Sequence, residues 1–142
     1  MNINILPGHK GPDAVFTNER IANFLYKHLE EFGDPQEDIL ACLDYVHQKG
    51  GFVTVGTVED EMVGVVVINE TGMRRYIPEN ILVYIAVDGK FRGKGYGQDL
   101  MRAALQQAEG NVALHVEPHN PAKHLYEKLG FTNKYLEMRY EK

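Results

Sequence analysis

The run of residues from 81 to 109 constrains this fold more than any other part of the chain. Residues 81–87, ILVYIAV, are almost wholly apolar, the pattern of a strand covered on both faces. A short polar stretch rich in glycine and basic side chains follows. From Tyr96 to Glu109 the apolar positions Leu100, Met101, Ala104, Leu105 and Ala108 recur at helical spacing, and Gly110 is the expected stop. A buried strand that turns through a glycine loop into an amphipathic helix is a unit of an α/β domain.

The flanking sequence supplies the rest. Residues 2–6 alternate and predict a first strand, after which Gly8, Gly11 and Pro12 break the chain. Residues 17–32 carry Ile21, Phe24, Leu25, Leu29 and Phe32 at helical spacing, with Thr17 or Asn18 to cap them and Gly33 to end them. Asp34-Pro35-Gln36-Glu37 predicts a capped second helix with Ile39, Leu40, Leu43 and Val46 inward, stopped by Gly50-Gly51. The period then falls to two. Residues 52–58 and 62–68 are rich in β-branched side chains and joined by Glu59-Asp60-Glu61, which predicts a hairpin. Gly56 and Gly64 inside these runs mark bulges or close packing. A loop over 69–80, a strand over 112–116, a helix over 121–129 and a final strand over 134–140 complete the order. One α/β domain spanning 1–142, with a mixed sheet, fits this sequence of elements.

Composition narrows the function. With 44% apolar residues the chain has enough material for a core, and its net charge of −5 argues against a general nucleic-acid partner. The single cysteine, Cys42, has no internal disulfide partner and reads as a buried small apolar residue. No apolar run approaches ~20 residues, so no membrane span is expected. Nor does the N-terminus resemble a signal peptide, and a cytoplasmic location is the expectation.

The chemistry is carried by Arg92-Gly93-Lys94-Gly95-Tyr96-Gly97. Glycines at alternate positions let the backbone turn sharply and approach a ligand. The free N–H groups and dipole of the following helix make an anion site, and Lys90, Arg92 and Lys94 add positive charge. A pyrophosphate is the natural guest. A P-loop would end in Gly-Lys-Ser/Thr to hold magnesium, whereas this loop reads Gly95-Tyr96-Gly97, which argues against an NTPase. A dinucleotide site keeps Gly93, Gly95 and a distant acid, Glu117, but position 98 is Gln98 and too little chain remains for its second half.

A second constellation, Asn120-Pro121-Ala122-Lys123-His124-Leu125-Tyr126-Glu127-Lys128-Leu129-Gly130-Phe131, completes the pattern. With the glycine loop it resembles the GNAT superfamily of N-acetyltransferases. Arg92, Gly95 and Gly97 match that family's Q/R-x-x-G-x-G/A motif, and Leu125 to Phe131 match its L-Y-E-K-L-G-F ending without a gap. The resemblance covers essentially the whole chain. It implies a mixed, mostly antiparallel central sheet, flanked by about four helices, with splayed parallel strands at a coenzyme site.

The resemblance also implies roles. Acetyl-CoA would be the cosubstrate, without a metal. Ile85, Ala86 and Val87 would face its pantetheine arm, which pairs with their strand as an added strand would. Arg92, Gly93, Lys94, Gly95, Tyr96 and Gly97 would hold the pyrophosphate, with Asn120 and Lys123 also at the coenzyme. Tyr126 would protonate the leaving thiolate. The chain departs from the family in two places. Where many members carry an asparagine seven residues before the tyrosine, this chain has His119, with Asn120 one residue late. Where some relatives carry a strand glutamate as base, it has Ile81. Glu79 shares that strand parity and is the candidate base, with Tyr84, His115 and Glu117 behind it. The expected activity is direct acetyl transfer to a primary amine of a small molecule or peptide. The alternative is a non-catalytic acyl-CoA-binding module. The acidic balance favours a cationic acceptor, and the helix near 34–48 could line the acceptor site or a homodimer interface.

Overall fold

The computed structural model describes residues 1–142. Strands β1 (Asn2–Pro7), β2 (Gly51–Val58), β3 (Glu61–Glu70), β4 (Asn80–Val87) and β5 (Val112–Leu114) form one sheet in the order β1-β2-β3-β4-β5. Its first four strands are antiparallel to their neighbours, and β5 runs parallel to β4. Helices α1 (Asn18–His28), α2 (Gln36–Gln48), α3 (Tyr96–Gln107) and α4 (Ala122–Lys128) flank it.

The side-chain parity of the strands builds two cores. Val53, Val55, Val65 and Val67 pack against Ile21, Leu25, Ile39 and Leu43 of α1 and α2. Phe52, Val66 and Ile68 pack on the other face against Leu100, Met101 and Ala104 of α3 and Tyr126 of α4. Each fully buried leucine contributes ~1.5–3 kcal/mol. Gly56 and Gly64 face each other across β2 and β3. A Cβ on Gly64 would meet Leu100 Cδ1 at 2.4 Å and one on Gly56 would meet its Cδ2 at 3.1 Å, so the pair lets α3 approach the sheet. Both readings of these glycines hold, because the register also shifts beside them, after Gly56.

The hairpin turn is Glu59-Asp60, with φ of 50° and 65°, the left-handed pair that matches strand twist in two-residue loops. The first helix is shorter than its pattern. It is capped by Thr17, whose side chain accepts from the Arg20 N–H, and ends at His28. Glu30 takes φ of 55° and Glu30–Phe32 continue as a single 3-10 turn. Asp34 does not cap α2; its carboxylate accepts the Tyr84 hydroxyl at 2.5 Å instead. Helix α3 stops at Gln107, before Gly110, because Ala108 turns extended.

The final strand expected over 134–140 does not form. Those residues alternate correctly, but a strand exists only beside a partner, and they pair with no edge of this sheet. β5 is also shorter than its pattern, ending at Leu114.

No helix is long and apolar enough to cross a membrane. Cys42 is half-buried beside Asn69, and burial pushes its thiol up to about 11, so it behaves as packing material and not as a nucleophile.

Candidate functional site: the split between two parallel strands

The decisive feature of β4 is a bulge. Val67 faces Tyr84 and Ile68 faces Leu82, which leaves Val83 as an extra residue. The bulge reverses the strand's parity. Leu82 points into the α3–α4 core, while Tyr84 and Ala86 point into the α1–α2 core. Pairing with β5 ends at the same place, since only Asn80, Ile81 and Leu82 have partners, in Val112, Ala113 and Leu114. Beyond Leu82 the two parallel strands separate. The edge of residues 83–87 that faces away from β3 is therefore open to an added strand. Ile85 and Val87 pack toward the α3–α4 core and Ala86 lies on the opposite face. What these residues share at the split is their backbone.

The glycine loop sits at the open end of that edge. Asp88 caps a short turn, Gly89–Phe91, through its side chain. Gly93 and Gly95 both have φ of 82°, and a Cβ at either would meet nothing within 4 Å. Gly95 is the N-cap of α3 and has no side chain to occupy the first N–H groups of the helix. The N–H groups of residues 93–98 donate to no backbone acceptor in the chain. Gly97 lies where the helix passes between Leu125 and Val87; a Cβ there would sit 3.5 Å and 3.6 Å from them. A cavity of about 360 Å³ opens over this loop. Val87, Gly93, Gly95 and Gly97 line one side, and His124, Leu125 and Lys128 of α4 the other. An open cradle of unpaired donors beside basic side chains fits a pyrophosphate.

Arg92 takes a role its motif position did not disclose. Its guanidinium donates to the His28 carbonyl at 3.0 Å, to Glu30 at 3.2 Å and to the Val87 carbonyl at 3.2 Å. A cation at the end of α1 suits that helix's dipole, so Arg92 ties the start of the loop to α1. Beside it His28 lies 3.8 Å from Asp88; burial lowers the imidazole's pKa, which the Asp88 charge partly opposes. Tyr96 stacks on Phe91, and the Lys94 ammonium lies 5.8 Å from the Phe91 ring centre.

Tyr126 is 7% exposed and shares a core with Leu82, Ile85 and Val87, next to the split. Burial, reinforced by the charge of Glu117, pushes its phenol up to about 12, so it carries its proton throughout the neutral range. Asn120 lies two residues before α4: its Oδ1 accepts the Ala122 N–H at 2.9 Å and its amide donates to Glu117 at 3.4 Å. His119 packs on Phe32 with ring centres 5.3 Å apart. Lys123 is half-buried on α4 and is not one of the cavity's walls.

Glu79 lies elsewhere. It precedes β4 at the closed end of the split, and accepts the Asn111 N–H at 2.8 Å and the Arg75 N–H at 3.0 Å. Those backbone donors, Asn111 first, hold its carboxyl below the usual range. A carboxylate stabilised this way is a weak base, and its geometry is that of a clamp between the 69–80 loop and the turn before β5. Because its folded pKa is depressed, it stabilises the fold fully above the ordinary carboxylate pKa. That stability disappears as pH falls through the folded value. Denaturant titrations from pH ~6 to ~3 should therefore show Glu79→Gln losing less stability on acidification than the parent. Parallel curves would remove the clamp. Of the other candidates, Tyr84 donates to Asp34 and burial raises its pKa, while His115 and Glu117 are exposed beyond β5. No group of three or more His, Cys, Asp or Glu comes together as a metal site.

Sequence reasoning overlooked the Val83 bulge and the α4 wall. The bulge leaves no local signal, because it is a count of residues against β3. The wall had one: His124 and Lys128 are four residues apart and so share a helix face.

This geometry has close counterparts. The model of the acetyltransferase (GNAT) domain matches residues 49–133. An aminoglycoside N-acetyltransferase, AAC(6')-Iy, solved in complex with CoA, superposes with a TM-score of 0.73 at 16% identity, over 99% of this chain and 95% of that one. A ribosomal-protein-alanine N-acetyltransferase from Brucella melitensis biovar Abortus 2308 superposes with a TM-score of 0.67 at 17% identity, over 99% of each chain. At these identities the superpositions speak for the fold. No curated protein matches the sequence. The family model covers the hairpin, the bulged strand, the glycine loop and α4, and with it this chain belongs to the GNAT acetyltransferases.

Proposed function

We propose that the protein transfers an acetyl group from acetyl-CoA to a primary amine, both bound at the split between β4 and β5. The observation that carries this reading is the open backbone edge of residues 83–87 running from the glycine cradle toward buried Tyr126. The N–H groups of residues 93–98, with Lys94 and Lys128, would hold the pyrophosphate, and Arg92 would hold the loop in shape. Acetyl-CoA supplies the thioester carbon that the amine attacks. A free N–H on the 83–87 edge polarises the carbonyl oxygen. Tyr126 gives its proton to the departing sulfur. The amine's proton leaves to solvent; the protein's main contribution at that step is orientation.

The acceptor is expected to be cationic. A second cavity, of about 470 Å³, lies where α1 meets α2 and is bordered by Tyr26, Glu30 and Asp34. Arg92 offsets the charge of Glu30, so the Asp34 carboxylate is the group there that favours a protonated amine on approach. The fold neighbours differ in acceptor: one is named for aminoglycosides, another for a ribosomal protein.

The test is thiol release from acetyl-CoA across a panel of polyamines, aminoglycosides and peptide N-termini. Turnover should rise with pH as the acceptor deprotonates, with no falling limb from Tyr126 below pH ~10. The clamped state of Glu79 favours a second reading, an acyl-CoA-binding module without catalysis. Micromolar CoA binding by calorimetry with no turnover on any amine would select the module.

A further inference from the structure

The glycine cradle and the cavity where α1 meets α2 share one ion pair. Arg92 lines the first and Glu30 borders the second, and Arg92 Nη1 donates to Glu30 Oε1 at 3.2 Å between them. The guanidinium's other bonds go to backbone: Nε donates to the Val87 carbonyl and Nη2 to the His28 carbonyl. Those two bonds, with His28 beside Asp88 at 3.8 Å, already join the loop to the end of α1. The Glu30 contact adds little to that joint, since the Arg92 and Glu30 side chains are 48% and 64% exposed and ion pairs so placed contribute little to stability.

An uncommon backbone nevertheless holds Glu30 there. Its φ is 55°, a left-handed conformation at a residue with a side chain, just past the end of α1. Such residues cluster where a chain binds or switches. This turn brings one carboxylate to the border of the acceptor cavity and within reach of Arg92 at once. Arg92 offsets its charge, which leaves Asp34, itself bonded to the Tyr84 hydroxyl, to face an incoming cation. A pyrophosphate on the cradle competes for the same guanidinium. It is the stronger partner, because the loop's N–H groups fix it in place and its bonds to Arg92 are charge-assisted.

We infer that Glu30 is an acceptor-binding residue masked by Arg92, and that coenzyme on the cradle unmasks it by drawing Arg92 Nη1 away. The inference rests on the sites proposed above, coenzyme at the glycine loop and acceptor between α1 and α2. Nη1 is the arm that moves, while Nε and Nη2 keep the loop on α1. Once unmasked, Glu30 joins Asp34, and a cationic acceptor meets two carboxylates instead of one. The acceptor cavity therefore reaches its full charge only after the coenzyme is in. A cation on Glu30 in turn leaves Arg92 free for phosphate, so each ligand strengthens the other by the same factor, as linkage requires. One exposed ion pair sets that factor at about two- to fivefold.

The test is calorimetry of CoA on the full chain, with and without the dication putrescine, in the parent, Glu30→Gln and Asp34→Asn. Both substituted side chains are exposed, and melting temperatures check the fold. Salt is held constant, because it screens exposed charges. Putrescine should tighten CoA by about two- to fivefold in the parent. Glu30→Gln should bind CoA more tightly than the parent by a similar factor without any amine, because Arg92 starts unpaired. Putrescine should then add nothing. Asp34→Asn removes the same charge from the same cavity but not from Arg92, so its CoA affinity should match the parent's. Direct pairing of putrescine with CoA phosphates acts alike in parent and variant, and the difference between them is the readout. Unchanged or weaker CoA binding in Glu30→Gln overturns the inference, since Glu30 then only braces the loop. So does a putrescine effect equal in the two proteins, or an equal gain from Asp34→Asn, which makes the effect one of net charge. The transfer reading fails differently. Coupled binding with no turnover on any amine removes catalysis and leaves the coupling, turnover without coupling does the reverse, and a parent that binds no CoA overturns both.

Discussion

In the Tyr126→Phe variant, kcat should fall by roughly a hundredfold or more, while the affinity for CoA changes by less than about threefold. The substitution removes one oxygen and keeps the ring, so the packing with Phe131 and Leu82 survives. A phenol pushed up to about 12 keeps its proton throughout the neutral range and so has one to give as the thiolate departs. Steady-state kinetics with CoA calorimetry separate the two effects. If kcat is unchanged, the proton reaches sulfur from solvent and Tyr126 serves only the core.

A larger side chain at Gly95 should act on the other half of the site. Gly95→Val is expected to weaken CoA by about a hundredfold or more. Two causes combine. At φ of 82° a β-branched residue is strained by ~1–2 kcal/mol, and the loop shifts to relieve it. Its side chain also enters the open space above the N–H groups of α3, where an anion would sit. Gly95→Ala separates the causes, because alanine carries most of the strain and little of the bulk. Affinity should fall in the order Gly, Ala, Val, with melting temperatures lowered by only a few degrees in both variants. Equal affinity across the three would place the anion somewhere other than this cradle.

The two variants address different claims. Family membership follows from residues 49–133, and fold follows from the superposed structures. Neither assigns a proton to an atom. That rests on Tyr126, and the acceptor rests on the cavity between α1 and α2.

Much of the scaffold was legible because it is local. Helical spacing over Ile21, Leu25, Leu43 and Leu100 gave the inward faces. Thr17 gave a real cap, and Glu59-Asp60 a real hairpin turn. Asp34 was misread as a cap because an aspartate before a helix has the same local form whether it serves the helix or a distant tyrosine. Strand parity makes Glu79 a candidate base, and parity is blind to what holds its carboxylate. Its two N–H donors come from Arg75 and Asn111, and the second lies beyond an entire helix.

What the sequence determined by itself was the glycine loop, its position between a buried strand and a helix, and the character of an anion cradle. Spacing, glycine content and charge are properties of consecutive residues. What only the tertiary structure decided was the opening beside it. The Val83 bulge is a mismatch in count between β3 and β4, and the split begins where β5 loses register with β4. Arg92's tie to α1 joins residues more than sixty positions apart. The strand character of residues 134–140 was written locally, but a strand's partner is not. Pairing is fixed only when a second edge is brought alongside, and no local signal names that edge.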